Sequence, residues 1–173
     1  MSNQIYSSIQ DRYQKLSDVE HILRRPGYMM GSMVLEEKLI SIMDFKSKSD
    51  YSITERDVSY VEGLERVYIE ILSNAADNAK RSKTAGVPIG RIEVTVTRNT
   101  ISIFNEGIPI PTEWHEKHQM WIPQMIFFNL RSGSNFDDTT SENVSGVNGV
   151  GSKISNIFSS YFHLKLIRLS KTS

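Results

Sequence analysis

Apolar residues recur with a helical period over one long stretch of this chain and alternate with polar ones over shorter stretches. From Glu62 to Arg81, Leu64, Val67, Tyr68, Ile71, Leu72 and Ala75 fall at i, i+3, i+4, i+7, i+8 and i+11. That spacing predicts a helix with one stripe against a core. Gly86-Val87-Pro88-Ile89-Gly90 ends it, since glycine and proline break helical runs. Ile92, Val94 and Val96 then alternate strictly, Arg98-Asn99 supplies a turn, and Ile101 to Phe104 returns, which predicts a hairpin. A mixed segment follows, apolar from Ile122 to Leu130, and then a Gly/Ser/Asn-rich stretch from Ser132 to Gly151. Lys153 to Ser159 reads as helix through Ile154, Ile157 and Phe158, and Phe162, Leu164 and Leu166 read as a strand. Near the start, Ser17 and Glu20 have the spacing of a capping box, and Pro26-Gly27 stops the short helix it opens. Residues 44–57 are polar and read as a surface loop. Elements in this order predict an α+β two-layer sandwich, with helices packed on one face of a mixed β-sheet. A sheet ending at Leu166 is short, so further strands are expected past Ser173.

Composition narrows the function classes. The 173 residues fit one domain, which at this size buries about 68–70% of its unfolded surface and needs no covalent staple. There is no cysteine, hence no disulfide framework, thiolate zinc site or cysteine nucleophile. Together with a polar N-terminus and no long apolar run, this points to an intracellular chain with no membrane partner. Lys plus Arg and Asp plus Glu are 20 each. A zero balance offers no broad basic face, so this segment by itself is a poor polyanion binder.

Three clusters can carry chemistry. On the long helix, Glu70, Asn74, Asp77 and Asn78 lie at i, i+4, i+7 and i+8 and put a stripe of oxygen atoms on one face. Such a stripe suits a hard cation at Asn74 and a general base at Glu70, or it is simply a solvated helix face. Asn105-Glu106-Gly107-Ile108-Pro109-Ile110-Pro111 follows a strand, as a ligand-facing sheet edge or an ordinary exit turn. Gly146-Val147-Asn148-Gly149-Val150-Gly151-Ser152-Lys153 opens a helix, where backbone N–H groups and the helix dipole favour an anion. The order Gly-Ser-Lys is not that of a Walker loop, and no strand precedes it as in a dinucleotide fingerprint. His115 and His118 lack the spacing of a zinc helix, and Trp114 and Trp121 read as packing anchors. Lys80, Arg81 and Lys83 complement the dipole at the helix end.

Taken in order, the three clusters resemble the nucleotide-binding boxes of the GHKL (Bergerat-fold) ATPases. Further blocks are similar to type IIA DNA topoisomerases, in their eukaryotic and viral form rather than the bacterial one. They are Tyr13 to Pro26, Val61-Glu62-Gly63-Leu64, Arg131-Ser132-Gly133-Ser134-Asn135-Phe136-Asp137-Asp138, and Gly149 to Ser159 with its Asn-Ile-Phe-Ser ending. The resemblance covers most of Tyr13 to Leu166. It implies an N-terminal arm over 1–30 and an ATP-binding domain over 31–173, with the C-terminal part and the transducer segment lying beyond.

Its functional implications are specific. Glu70 is expected to activate water, Asn74 to ligate Mg²⁺ and Asn78 to contact phosphate or ribose. Asn105 falls at the adenine-reading position, and Ser134 and Asn135 at ribose and phosphate. Asn148, Gly149, Val150, Gly151 and Lys153 are expected to wrap the triphosphate of ATP, and Tyr13 to reach a partner protomer's nucleotide. The implied protein is an isomerase in which ATP clamps two protomers into a homodimer and drives strand passage of DNA held by other parts of the enzyme. It would work in the nucleus of a eukaryote or in the host cell of a virus. Two departures stand out. Pro109 replaces the second glycine of the family's Asp/Asn-x-Gly-x-Gly-Ile-Pro box, fixing φ and removing an N–H. Arg25-Pro26-Gly27-Tyr28-Met29-Met30-Gly31 carries its tyrosine one position early. Two alternatives remain open from sequence: a nucleotide-binding dimerisation module with little hydrolysis, and another GHKL ATPase of chaperone or mismatch-repair type.

Overall fold

The structure is a computed structural model, and it describes residues 13–47, 49–130, 132 and 150–167. Ser17 opens helix α1 (Asp18–Arg24) with both halves of the capping box made: Glu20 N–H donates to Ser17 Oγ, and Ser17 N–H donates to the Glu20 carboxylate at 2.8 Å. The Ser17 backbone N–H first, and then the Ser17 hydroxyl, which donates to the same carboxylate at 2.7 Å, hold the Glu20 carboxyl below its ordinary range. Pro26 ends α1 and starts the single-turn α2 (Gly27–Met30), whose Met30 is buried. Strands β1 (Glu36–Phe45) and β2 (Tyr51–Tyr60) form an antiparallel hairpin.

The long helix α3 (Glu62–Thr84) takes the predicted place. Gly63 N–H at its first turn donates to Ser32 O at 2.9 Å, and Ser32 N–H donates to the Glu62 carboxylate, so the segment after α2 is tied to the start of α3. Strands β3 (Ile92–Val96) and β4 (Ile101–Asn105) pair as the alternation predicts, with Thr97 N–H closing the turn on Thr100 O. The small pair β5 (Trp114–His115) and β6 (Met120–Trp121) sets Trp114 against Trp121, edge to face with ring centroids 5.4 Å apart. Helices α4 (Ile122–Phe128) and α5 (Gly151–Ile157) complete the described elements.

Two expectations are corrected. Residues 44–57 are not one loop: the connection is confined to 46–50, and 51–57 belong to β2. Their polar side chains pair across the hairpin, where Thr54 Oγ1 and Arg56 both reach the Asp44 carboxylate, and so they hide the strand from a hydrophobicity reading. Phe162, Leu164 and Leu166 form no strand among the described residues. Phe162 and Leu164 turn inward, Phe162 packing against Phe127 and Phe128, but no described strand neighbours them to complete a ladder. The described strands form three separate antiparallel pairs beside the helices, an α+β arrangement as expected.

Helix α3 is the hub: it packs against α2, α5 and β4. The buried apolar side chains among the described residues are Ile22, Met30, Ala75 and Ile154, and Asn78, Ser82, Ser152, Lys153 and Ser155 are buried as well. Buried polar groups cost free energy unless they are hydrogen-bonded, so a centre this polar marks a site rather than a purely greasy core. No described helix is long and apolar enough to cross a membrane.

Candidate functional site

The helical period of α3 brings Glu70, Asn74 and Asn78 onto one face, and two other parts of the chain meet that face. At its N-terminal half, α5 docks across Glu70. Ser155 Oγ donates to Val67 O at 2.8 Å, which fixes α5 against the helix, and Gly151 then lies on the Glu70 carboxylate. A Cβ at Gly151 would sit 3.1 Å from Glu70 Cδ and nearer still to Oε2, so only glycine leaves the carboxylate where it is. The other oxygen, Oε1, pairs with Arg66 Nε at 2.5 Å, and the Glu70 side chain is only 15% exposed. The first and third sequence clusters, 81 positions apart from Glu70 to Gly151, are therefore in contact.

At the other end of the face, α3 meets the segment after β4. Asn78 is 8% exposed and both ends of its amide are engaged: Nδ2 donates to Ile108 O at 2.9 Å, and Oδ1 accepts from Asn105 Nδ2 at 3.3 Å. Ser82, fully buried one turn on, donates from Oγ to Asn78 O at 2.8 Å and accepts from Ile108 N–H at 2.9 Å. Gly107 adopts φ +140°, and a Cβ there would collide with Asn78 Oδ1 and Ser82 Oγ. The second cluster is thereby pinned to the first. Sequence reasoning missed Ser82. Its spacing of i+4 from Asn78 was the available signal, but a serine near a helix end carries no distinguishing pattern.

Lys153 is 3% exposed, on the inner side of α5, and its ammonium group donates to Ser132 O. Burial lowers its pKa to about 8. Asn74 is half-buried, one turn beyond Glu70. Val150 caps the start of α5 beside Gly151. Tyr13, 75% exposed, lies before α1 and outside this grouping. Ser134, Asn135, Asn148 and Gly149 lie outside the described residues.

Along and against this face of α3 lie one clamped carboxylate and three amides, with one buried amine on the docked helix α5. Such a set suits a polyanion with a hard cation: Lys153 and backbone N–H groups for negative oxygens, the neutral Asn74 oxygen for Mg²⁺, and the Glu70 carboxylate for a proton.

Comparison with known proteins addresses the chain as a whole. No protein-family model matches the chain. DNA topoisomerase 2 of Saccharomyces cerevisiae is 41% identical over 165 residues, 94% of this chain and 11% of that protein. The enzyme of the same name from Drosophila melanogaster is 38% identical over 155 residues, 90% of this chain and 10% of its own length. That of Acanthamoeba polyphaga mimivirus is 35% identical over 175 residues, 98% and 13% respectively. The chain thus spans about a tenth of the curated relatives it matches. Among solved structures, the ATPase region of Saccharomyces cerevisiae topoisomerase II superposes with TM-score 0.76 at 40% identity, over 86% of this chain and 38% of that one. The ATPase and transducer domains of topoisomerase II from Balamuthia mandrillaris give 0.75 at 35%, over 87% and 37%.

Proposed function

From its kinship with the ATPase region of type II DNA topoisomerases, which it matches in both sequence and fold, we propose that this chain forms the nucleotide pocket of such an enzyme and handles ATP with Mg²⁺. The observation that carries this reading is the convergence of all three sequence clusters on one face of α3: Gly151 on Glu70, and the Asn105–Ile108 segment on Asn78 and Ser82.

In this reading each residue has a task set by its surroundings. Asn105 reads the base from the rim of the pocket. Val150, Gly151 and Lys153 face the phosphates, with Asn148 and Gly149, the residues just before them in sequence, joining them and Ser134 and Asn135 at the ribose. Bound at Asn74, Mg²⁺ would supply charge neutralisation across the phosphate oxygens. Glu70 takes the proton from the attacking water. Its carboxylate is held on two sides, by Arg66 and by the α5 backbone at Gly151, which restricts it to one orientation. Tyr13, exposed ahead of α1, is free to contact a second protomer.

The wider reading extends this proposal to the whole enzyme: a homodimer clamped by ATP, strand passage of DNA held elsewhere in the enzyme, and a place in the nucleus or a virus-infected host cell. A direct test is Glu70→Gln, which keeps shape and removes the base. Hydrolysis should fall by about 10²–10⁴ while ATP affinity stays within a few-fold. A Glu70→Gln protein that still hydrolysed ATP at the wild-type rate would remove Glu70 from its role.

A further inference from the structure

An asparagine that reads a base has two faces of opposite polarity, and nothing in its own shape decides which one points outward. In this chain the decision is made by its neighbours. Asn78 Nδ2 donates to Ile108 O at 2.9 Å, and turning that amide over would set an oxygen against a carbonyl oxygen. Asn78 Oδ1 is therefore fixed toward β4, where it accepts from Asn105 Nδ2 at 3.3 Å. Ser82 locks the arrangement from below. Its single O–H goes to Asn78 O, and its oxygen accepts the Ile108 N–H, so the carbonyl that anchors Asn78 is itself held in place. The chain of donors runs one way, and it leaves Oδ1 as the outward end of Asn105.

Building on the nucleotide-pocket reading above, we infer that Asn78 and Ser82 are positioning residues for base selection: they polarise the Asn105 amide so that it offers an acceptor to the ligand. Asn78 then acts through Asn105 rather than on phosphate or ribose, consistent with its burial and its fully engaged amide. An outward acceptor selects a 6-amino purine, whose exocyclic N–H donates. It gains nothing from an unsubstituted purine and opposes a 6-oxo purine, whose O6 is also an acceptor. An asparagine free to flip would instead donate to O6 and hold the oxo base at least as tightly as the unsubstituted one.

The test is a set of affinities of the full chain for ATP, purine riboside triphosphate and ITP, measured by calorimetry with Mg²⁺ present. The expected order is ATP tightest, purine riboside triphosphate weaker by roughly threefold to tenfold, and ITP weaker again by a similar factor. Asn78→Leu should release the Asn105 amide and close the gap between purine riboside triphosphate and ITP, which a purely structural role for Asn78 would not do. Should that variant fail to fold, Ser82→Ala, which removes the locking hydroxyl at little change in volume, must narrow the same gap. ITP binding as tightly as purine riboside triphosphate to the unmodified chain, or a gap that survives these substitutions, would overturn the inference and leave the nucleotide-pocket reading intact. Failure of all three nucleotides to bind would overturn that reading and the inference with it.

Discussion

Gly151→Ala separates position from stability more sharply than any other single change. The methyl group would be 3.1 Å from Glu70 Cδ and closer to Oε2, while ordinary contact begins at 3.4 Å. The obstructing atoms are the far end of a flexible side chain, so the fold yields by moving the Glu70 carboxylate and not the backbone. No positive φ is required at Gly151, the first residue of α5. Alanine in a compatible helical position stabilises by about 0.4–1 kcal/mol, mainly by restricting the unfolded chain. Against that stands the Arg66–Glu70 pair, which has arginine N-terminal to glutamate and is worth at most about 0.5 kcal/mol to the helix. The two terms nearly cancel, so the melting temperature should stay within a few degrees. Catalysis should not: a carboxylate displaced by about 1 Å loses its near-attack geometry, and displacements of that size cost on the order of a hundredfold in rate. The assay pairs a thermal melt with ATP hydrolysis by the native polypeptide under single-turnover conditions. A Gly151→Ala protein that melts within a few degrees of wild type and hydrolyses ATP within threefold of the wild-type rate would refute the contact or the role of Glu70.

Other predictions follow from the same geometry. Lys153 has a folded pKa of about 8 against an ordinary value of 10.5, so the unfolded chain binds more protons between these limits. Stability should therefore rise as pH increases from 8 to 10.5, and Lys153→Met should flatten that rise in melts taken across the window. Ser82→Ala leaves the Ile108 N–H without its acceptor and should cost about 1–3 kcal/mol in urea unfolding; a loss below about 0.5 kcal/mol would count against the pin. Ser17→Ala removes a cap whose helix is short and exposed, and should cost about 1 kcal/mol without changing nucleotide affinity.

What could be read from the sequence was whatever the chain encodes locally. The Ser17–Glu20 box, the α3 stripe and the β3–β4 alternation each depend on residues a few positions apart, and each appears where the pattern puts it. The β1–β2 hairpin escaped because Asp44, Thr54 and Arg56 satisfy one another across strands, a non-local pairing that looks like loop composition along the chain. For Phe162 to Leu166 the opposite happened: the period was present, but among the described residues no partner strand lies beside it. The site divides in the same way. Helical spacing alone aligned Glu70, Asn74 and Asn78, whereas the meeting of Glu70 with Gly151 was implied by resemblance, since no spacing rule spans that distance. The inward engagement of Asn78 was invisible from either, because burial decides it.

Calorimetric titration of the chain with a non-hydrolysable ATP analogue, with and without Mg²⁺, goes most directly to the central claim that these three clusters build a nucleotide pocket. Saturable, Mg²⁺-dependent binding near one nucleotide per chain is the expected result. The absence of binding heat under every Mg²⁺ condition, with the protein folded, would contradict it.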